Sequence, residues 1–322
     1  MTSFGLHLTN FQPAAYAGEH MLAGITDVAA AMENSGGFSA LWLADHMQNL
    51  SPDGPTSPMP ESYVLLGALA AATSSLDLGV LATSVLYRRP ELLAKMVTTL
   101  DALSGARAVL GIGAGHPRTE TEHRAYGYEF PTVGERMRLL EEALRRIRPM
   151  LAAQPEPDSA PNWPRPARPG GIPVLVAGSG EQRLLRIAAR YADMINLSFP
   201  SGDSLDTIPH KLAVLAAHCD TVGRDPAQIK VTYKAILSIA DSADHAHRKW
   251  DEWRQKRGIG AVTSRAGVFT GAPGEVSEQL RPWLAAGIDH IVFELPDADD
   301  PDTVALAGKT LAGLASLDGV AR

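Results

Sequence analysis

The sequence predicts an α/β protein built as one (β/α)₈ barrel of the TIM type, and three observations lead there. Short β-branched or apolar runs alternate with amphipathic helical stretches, the pattern of right-handed βαβ crossovers feeding a parallel sheet. Eight such units lie evenly along 322 residues, a length that α/β barrels reach around a single core. The doubly wound open sheet shares the alternation, but its dinucleotide fingerprint is missing. The nearest candidate, Gly111-Ile112-Gly113-Ala114-Gly115-His116, places glycine at alternate positions and then histidine, without the third glycine of G-x-G-x-x-G.

Strands are predicted at residues 5–8, 40–43, 78–82, 108–112, 174–177, 194–197, 231–239 and 290–294, with helices filling the gaps. Pro60-Glu61 opens a helix that runs through Tyr63 and Leu69 and stops near Thr73-Ser74. Pro90-Glu91 puts proline in a first helical turn, where its missing N–H costs little. Two insertions interrupt the barrel. Residues 154–171, after the fourth helix, carry Pro155, Pro157, Pro161, Pro164, Pro166 and Pro169 and form an extended connection. Residues 241–265, after the seventh strand, are charged and helical. No repeat of solenoid spacing appears, and residues 1–322 are expected to make one domain.

Composition removes several classes of function. With 29 basic and 36 acidic residues the net charge is −7, and no Lys/Arg block tracks a phosphate backbone, so nucleic acid is not an expected partner. No apolar run approaches the roughly 20 residues that cross a bilayer. The N-terminus, Met1-Thr2-Ser3-Phe4-Gly5-Leu6, lacks the features of a secretory signal and reads as a first strand, which predicts a cytoplasmic protein. The single cysteine, Cys219, excludes internal disulfides and multi-cysteine metal sites and reads as an inert helix residue. His245 and His247 are two apart on a helix and diverge, and His116 and His123 bracket no ligand motif, so no metal is expected. No G-x-S-x-G elbow marks a serine hydrolase.

In such a barrel, function sits at the C-terminal ends of the strands. Four positions follow: Asp45-His46, Thr83-Ser84-Val85, Gly113-Ala114-Gly115-His116 and Gly178-Ser179-Gly180. The last lies between a strand and a helix predicted to begin at Glu181. Its glycines let backbone N–H groups turn toward an anion at that helix N-terminus, and Arg183 adds a charge. A short βα loop also needs glycine with Ser179 as an N-cap, so the spacing alone leaves both readings open. Asp45-His46 offers a carboxylate and an imidazole for hydrogen bonding or proton transfer. Adjacent residues on a strand diverge, which makes one of the two structural.

The chain resembles the luciferase-like monooxygenase superfamily, and within it the F420-dependent oxidoreductases. The resemblance rests on Leu41-Trp42-Leu43-Ala44-Asp45-His46, on Thr83-Ser84-Val85-Leu86-Tyr87-Arg88-Arg89-Pro90, and on Thr99-Leu100-Asp101-Ala102-Leu103-Ser104-Gly105. It continues through Gly111 to Gly115, Glu122-His123-Arg124-Ala125-Tyr126-Gly127, Gly134-Glu135-Arg136 and Gly178-Ser179-Gly180. It implies a barrel whose open end holds the deazaflavin F420, with flavin mononucleotide as the alternative. The phosphate would lie on Gly178, Ser179 and Gly180, and the ring near Asp45, His46, Thr83, Ser84, Val85, Gly113, Ala114, Gly115 and Asn196. A bulge with a cis non-prolyl peptide is expected at Ser84-Val85, and a homodimer is expected.

The reaction implied is hydride transfer to a C=C, C=N or C=O bond of a small metabolite, or its reverse. His116 is the first candidate for proton donation, His46 the second, and Asp45 orients the site. The alternatives are an FMNH₂-dependent two-component monooxygenase and a cofactor-binding protein without catalysis. Relatives that oxidise sugar phosphates carry an acidic residue and an aromatic residue where this chain has His116 and Leu50, which argues for a different substrate.

Overall fold

The computed structural model describes residues 2–9, 11, 21–49, 57–154, 160, 162–198 and 201–318. Ten strands occur among them: β1 (Ser3–Leu8), β2 (Ala40–Leu43), β3 (Asp77–Val80), β4 (Thr83–Ser84), β5 (Ala108–Gly113), β6 (Val174–Ala177), β7 (Met194–Ser198), β8 (Lys230–Ile239), β9 (Val268–Gly271) and β10 (His290–Glu294). The helices are α1 (Met21–Ser35), α2 (Ser62–Ala72), α3 (Pro90–Ser104), α4 (Glu120–Ala125), α5 (Val133–Leu151), α6 (Leu184–Tyr191), α7 (Ile208–Val222), α8 (Ala243–Lys256), α9 (Pro273–Leu284) and α10 (Pro301–Asp318). All strand pairings are parallel, in the order β10-β1-β2-β3-β5-β6-β7-β8, and β8 pairs back onto β10 to close an eight-stranded barrel. No described helix is long and apolar enough to cross a membrane.

Strand periodicity decides what fills each side. Leu6, Leu8, Leu41, Leu43, Val174, Val176, Ile195, Leu197, Ile291 and Phe293 face the helices in one large core. Ala40, Trp42, Val109, Leu175 and Val292 point the other way and pack inside the barrel. The Trp42 indole needs room there: a Cβ at Gly79 would lie 2.6 Å from its ring, and one at Gly5 would lie 3.0 Å from its Nε1 and 2.7 Å from His290 Nε2. The lower barrel is therefore a packed plug, and the polar groups above it form the mouth.

The plug contains an imidazole with a fixed tautomer. Trp42 Nε1 donates to His290 Nε2 at 3.3 Å, so the His290 proton is on Nδ1, 2.8 Å from Ser3 Oγ. Burial, with Lys230 adding to it, pushes the His290 pKa down from 6.5 to about 4. Between those values the unfolded chain carries a proton that the native state lacks. Native stability is thus full above pH 6.5 and is lost as the pH falls toward 4, by about 3 kcal/mol for a group this buried. Replacing His290 with Gln is expected to flatten denaturant midpoints over that interval. An unchanged slope would exclude this source.

Several expectations are corrected. The third strand ends at Val80, not at residue 82, because the chain bulges there. Leu78 and Gly79 pair with Ala108 and Val109, whereas Thr83 and Ser84 pair with Ile112 and Gly113, so one extra residue is accommodated between the two pairings. The cis non-prolyl bond is inside this bulge, at Leu81-Ala82, and not at Ser84-Val85, where the chain has already rejoined β5. The helix after Gly180 starts at Leu184, since residues 181–183 form a turn. Strand β9 is additional to the predicted set. Val268-Phe269-Thr270-Gly271 is short and runs straight into a helix, and it extends the tail of β8 from Ile236 to Ile239 rather than entering the barrel wall.

Other expectations hold. Glu61 caps α2 by accepting from Val64 N at 2.7 Å, and Pro90 stands in the first turn of α3. Residues 241–265 supply α8, started by the Ser242 cap, followed by irregular chain. The described part of the proline-rich connection is non-helical and anchored on Asp101, whose Oδ2 accepts from the backbone N–H of Ala167 at 2.7 Å and of Arg168 at 3.1 Å. Pro155, Pro157 and Pro161 lie outside the described residues.

Candidate active site at the barrel mouth

Beyond the end of β2 the neighbours Asp45 and His46 diverge. Asp45 is buried and fully engaged: Arg88 donates to Oδ2 at 2.7 Å and to Oδ1 at 3.0 Å, and Ser62 Oγ donates to Oδ1 at 2.7 Å. Arg88 also pairs with Glu61 and lies 4.8 Å from the centre of the Tyr63 ring. The Asp45 carboxylate outweighs burial and holds the Arg88 guanidinium protonated. This network ties the end of β2 to the N-terminus of α2 and to the segment after β4.

His46 turns to the loop after β5. Its Nδ1 is 3.1 Å from Glu122 Oε2 on α4, and Glu122 Oε1 accepts from the backbone N–H of Met47 and, at 3.3 Å, of Gln48. Burial raises the Glu122 carboxyl, but the His46 hydrogen bond and the Met47 N–H outweigh it and bring the carboxyl below its usual range. A carboxylate at this position accepts the Nδ1 proton, which leaves Nε2 of neutral His46 as the basic nitrogen. Glu122 stands in the Glu122-His123-Arg124 block that carries the family resemblance, but no local spacing marks it as a site residue; its role depends on a fold-back across 76 residues.

The next residue, His123, is buried and serves structure. Its Nδ1 donates to Thr119 O at 2.7 Å, so Nε2 accepts from Ser84 Oγ at 3.2 Å, and Tyr87 stacks on the ring at 4.3 Å. Thr83 Oγ1 is 2.7 Å from Tyr63 OH, and Val85 N donates to Gly113 O at 3.0 Å. These bonds hold Thr83, Ser84 and Val85 beside Gly113, Ala114 and Gly115. The three atoms nearest to a Cβ built at Gly113 belong to Ala177 and Ala82, at 3.6–3.9 Å. Ala82, Gly113 and Ala177 thus form a small-residue shelf at the end of β5.

His116 is exposed at the rim. Its Nδ1 accepts from Arg118 N at 3.2 Å and caps its own short turn, and it is not hydrogen-bonded to His46. Burial of part of the ring, then Arg118 and His46, push its pKa down. Asn196 faces the interior and donates to Thr232 Oγ1 at 2.8 Å. Ser179 and Gly180 edge a hollow of ≈ 480 Å³ that also involves Arg183 and Lys211, and Lys211 Nζ donates to Ser179 O at 3.1 Å. A second hollow of ≈ 530 Å³ continues past Arg138 and Arg186. The lining mixes both signs: Lys211 pairs with Glu181 at 2.8 Å, and Arg186 lies 3.6 Å from Glu141. Leu50 lies outside the described residues.

The opposite wall carries charges that the four strand-end positions do not include. Glu294, at the end of β10, accepts from Lys234 Nζ at 2.8 Å, Arg257 at 3.0 Å and Thr9 Oγ1 at 2.7 Å. Burial would raise its carboxyl, but Lys234 and Arg257 hold it well below the usual carboxylate range. The signal that could have found Glu294 is its place at the C-terminal end of the eighth barrel strand, the same rule that selects Asp45 after the second.

Residues 1–309 match the family model described as luciferase-like monooxygenase. The chain is 27% identical over 307 residues to an F420-dependent glucose-6-phosphate dehydrogenase of Kineococcus radiotolerans, covering 85% of this chain and 88% of the relative. It is 25% identical over 316 residues to a 5,10-methylenetetrahydromethanopterin reductase of Archaeoglobus fulgidus, covering 85% and 91%. Among solved structures, the coenzyme F420-dependent tetrahydromethanopterin reductase of Methanopyrus kandleri superposes with a TM-score of 0.73 at 19% identity over 96% of this chain and 98% of that one. An F420-dependent secondary alcohol dehydrogenase gives 0.75 at 16% identity, over 97% and 99%. These two likenesses are of fold.

Proposed function

We propose that this chain, which belongs to the luciferase-like monooxygenase family and is an F420-dependent oxidoreductase, exchanges a hydride with a C=C, C=N or C=O bond of a small metabolite. The observation that carries the reading is the His46–Glu122 pair beyond the end of β2, in a chain whose β5 end has only small neighbours at Ala82, Gly113 and Ala177. F420, when bound, supplies or accepts the hydride, and every other part of the reaction falls to the protein.

Reduction of a polar double bond adds a hydride to carbon and a proton to the heteroatom or second carbon; oxidation removes both. His46 holds that proton at Nε2, and Glu122 is the positioning residue that fixes the tautomer. Asp45 acts through Arg88, keeping the end of β2 in place. Gly178, Ser179, Gly180, Arg183 and Lys211 receive the phosphate, and Thr83, Ser84, Val85, Gly113, Ala114, Gly115 and Asn196 border the ring. His116, on the rim, is the second candidate for proton delivery. The chain is also proposed to form a homodimer, supported by exposed Val64, Leu92 and Leu103 on the adjoining helices α2 and α3; light scattering after gel filtration checks it.

The primary test is equilibrium binding of F420 and flavin mononucleotide in parallel. Selective micromolar or tighter F420 binding, weakened by Lys211→Ala, is the expected result. Selective flavin binding, with oxygen consumption by the reduced form, would overturn it.

A further inference from the structure

The chain that leaves β4 braces more than the floor of the mouth. Tyr87 N donates to Ser84 O at 3.2 Å, which folds residues 84–87 into a turn. Ser84 Oγ reaches His123 Nε2 from this turn, and Arg88, the next residue along, holds Asp45. The Tyr87 ring, 6% exposed, lies flat on the His123 imidazole with its hydroxyl at the edge of the stack.

That hydroxyl has a proton to place. His123 Nδ1 is 3.5 Å away but directs its own proton to Thr119 O at 2.7 Å, so it offers no lone pair. The carboxylate of Glu122, one residue before it, is within hydrogen-bonding reach of Tyr87 and can accept. Burial, then the charge of Glu122, raise the Tyr87 phenol above its ordinary value, so it stays protonated and donates.

Glu122 depends on such donors. Its side chain is fully buried, and among the described residues no lysine or arginine pairs with it. A buried carboxylate without a permanent cation keeps its charge through hydrogen bonds. His46, Met47 N–H and Gln48 N–H all approach it from the end of β2. Tyr87 approaches from the turn after β4 and so holds the carboxylate from a second direction.

We propose that Tyr87 is a positioning residue for the His46–Glu122 pair, its hydroxyl keeping the Glu122 carboxylate ionised and set on His46 Nδ1. One stretch of chain then governs both neighbours at the end of β2, Asp45 through Arg88 and His46 through Glu122. Its part in the reaction rests on the proton role of His46 proposed above, whereas the contact itself does not.

The titratable and charged groups around the contact are His46 and Asp45 from the end of β2, with Arg88 on Asp45, and His123 on α4 with Tyr128 just after it and Arg136 near His123. Tyr87→Phe alters none of them and keeps a ring on His123. Without the hydroxyl the carboxylate is less stabilised and takes up a proton at higher pH.

The test is a pH titration of the full chain labelled with ¹³C at the glutamate side-chain carboxyls, the Glu122 signal being the one lost in Glu122→Gln. In Tyr87→Phe that carboxyl is expected to titrate about one pH unit higher than in the parent. The ring nitrogens of neutral His46, read in a ¹⁵N-histidine sample, are expected to lose part of their preference for the Nδ1–H form. Fluorotyrosine placed at residue 87, a stronger donor of nearly the same size, is expected to move the Glu122 midpoint to lower pH. A residue that only fills space would move none of these signals. A Glu122 midpoint or a His46 tautomer that stays at the parental value in folded Tyr87→Phe would overturn the proposal. If Tyr87→Phe did not fold, an unmoved or raised midpoint in the fluorotyrosine protein would do the same. Full activity of His46→Ala would instead remove the proton role and leave the contact standing, so the two failures are distinguishable.

Discussion

Replacement of His46 by Ala is expected to lower kcat/KM by about 10²- to 10⁴-fold, the usual contribution of a positioned proton donor or acceptor. F420 affinity is expected to stay near that of the parent, because the phosphate loop and the small-residue shelf are untouched. The reason for choosing His46 over His116 is geometric. His46 has its Nδ1 tied to Glu122, so its ring is held in one orientation, whereas His116 is exposed and caps its own turn. Glu122→Gln provides the companion result. It can keep a hydrogen bond but removes the charge that fixes the tautomer, so kcat is expected to fall by about 10²-fold, with a displaced pH profile. If His46→Ala retained the parent rate at every pH, the proton assignment would pass to His116.

The second large effect concerns stability. Arg88→Met removes the only cation hydrogen-bonded to Asp45 among the described residues and leaves a buried carboxylate with Ser62 alone. Breaking a buried pair from one side typically costs about 3–5 kcal/mol, because the remaining charge is desolvated without compensation. A urea midpoint lowered accordingly is expected. The double variant Asp45→Asn, Arg88→Met should recover more than half of the loss, since the amide carries no charge into the interior. If the single variant were as stable as the parent, Asp45 would have to be solvated, contrary to its burial.

What is legible in the sequence follows from which interactions are local. The eight barrel strands can be located because their outward faces repeat at every second residue, as Leu6 with Leu8 or Val174 with Val176. The Gly178-Ser179-Gly180 loop is legible because two glycines directly after a short apolar run mark a sharp backbone turn at a strand end. The bulge at Leu81-Ala82 is misplaced by sequence alone, since an apolar run continues unbroken through it and only the pairing to β5 locates the extra residue. Glu122 and Arg88 are invisible as site residues because their partners are 76 and 43 positions away.

The circular order of the strands separates two tasks on opposite rims. In the proposed reading, residues from β2 to α7 hold the cofactor and the His46–Glu122 pair, while β1, β8, β10 and Arg257, just past the C-terminus of α8, build the facing wall. No hydrogen bond described for the His46–Glu122 pair involves a residue between 230 and 294. On that reading one sector is a chassis for the redox carrier and the other a tool head, joined by the Asn196–Thr232 hydrogen bond of 2.8 Å. Transplanting residues 230–294 from another family member, with the tip of β1, should therefore re-aim the enzyme at a new substrate without rebuilding its chemistry.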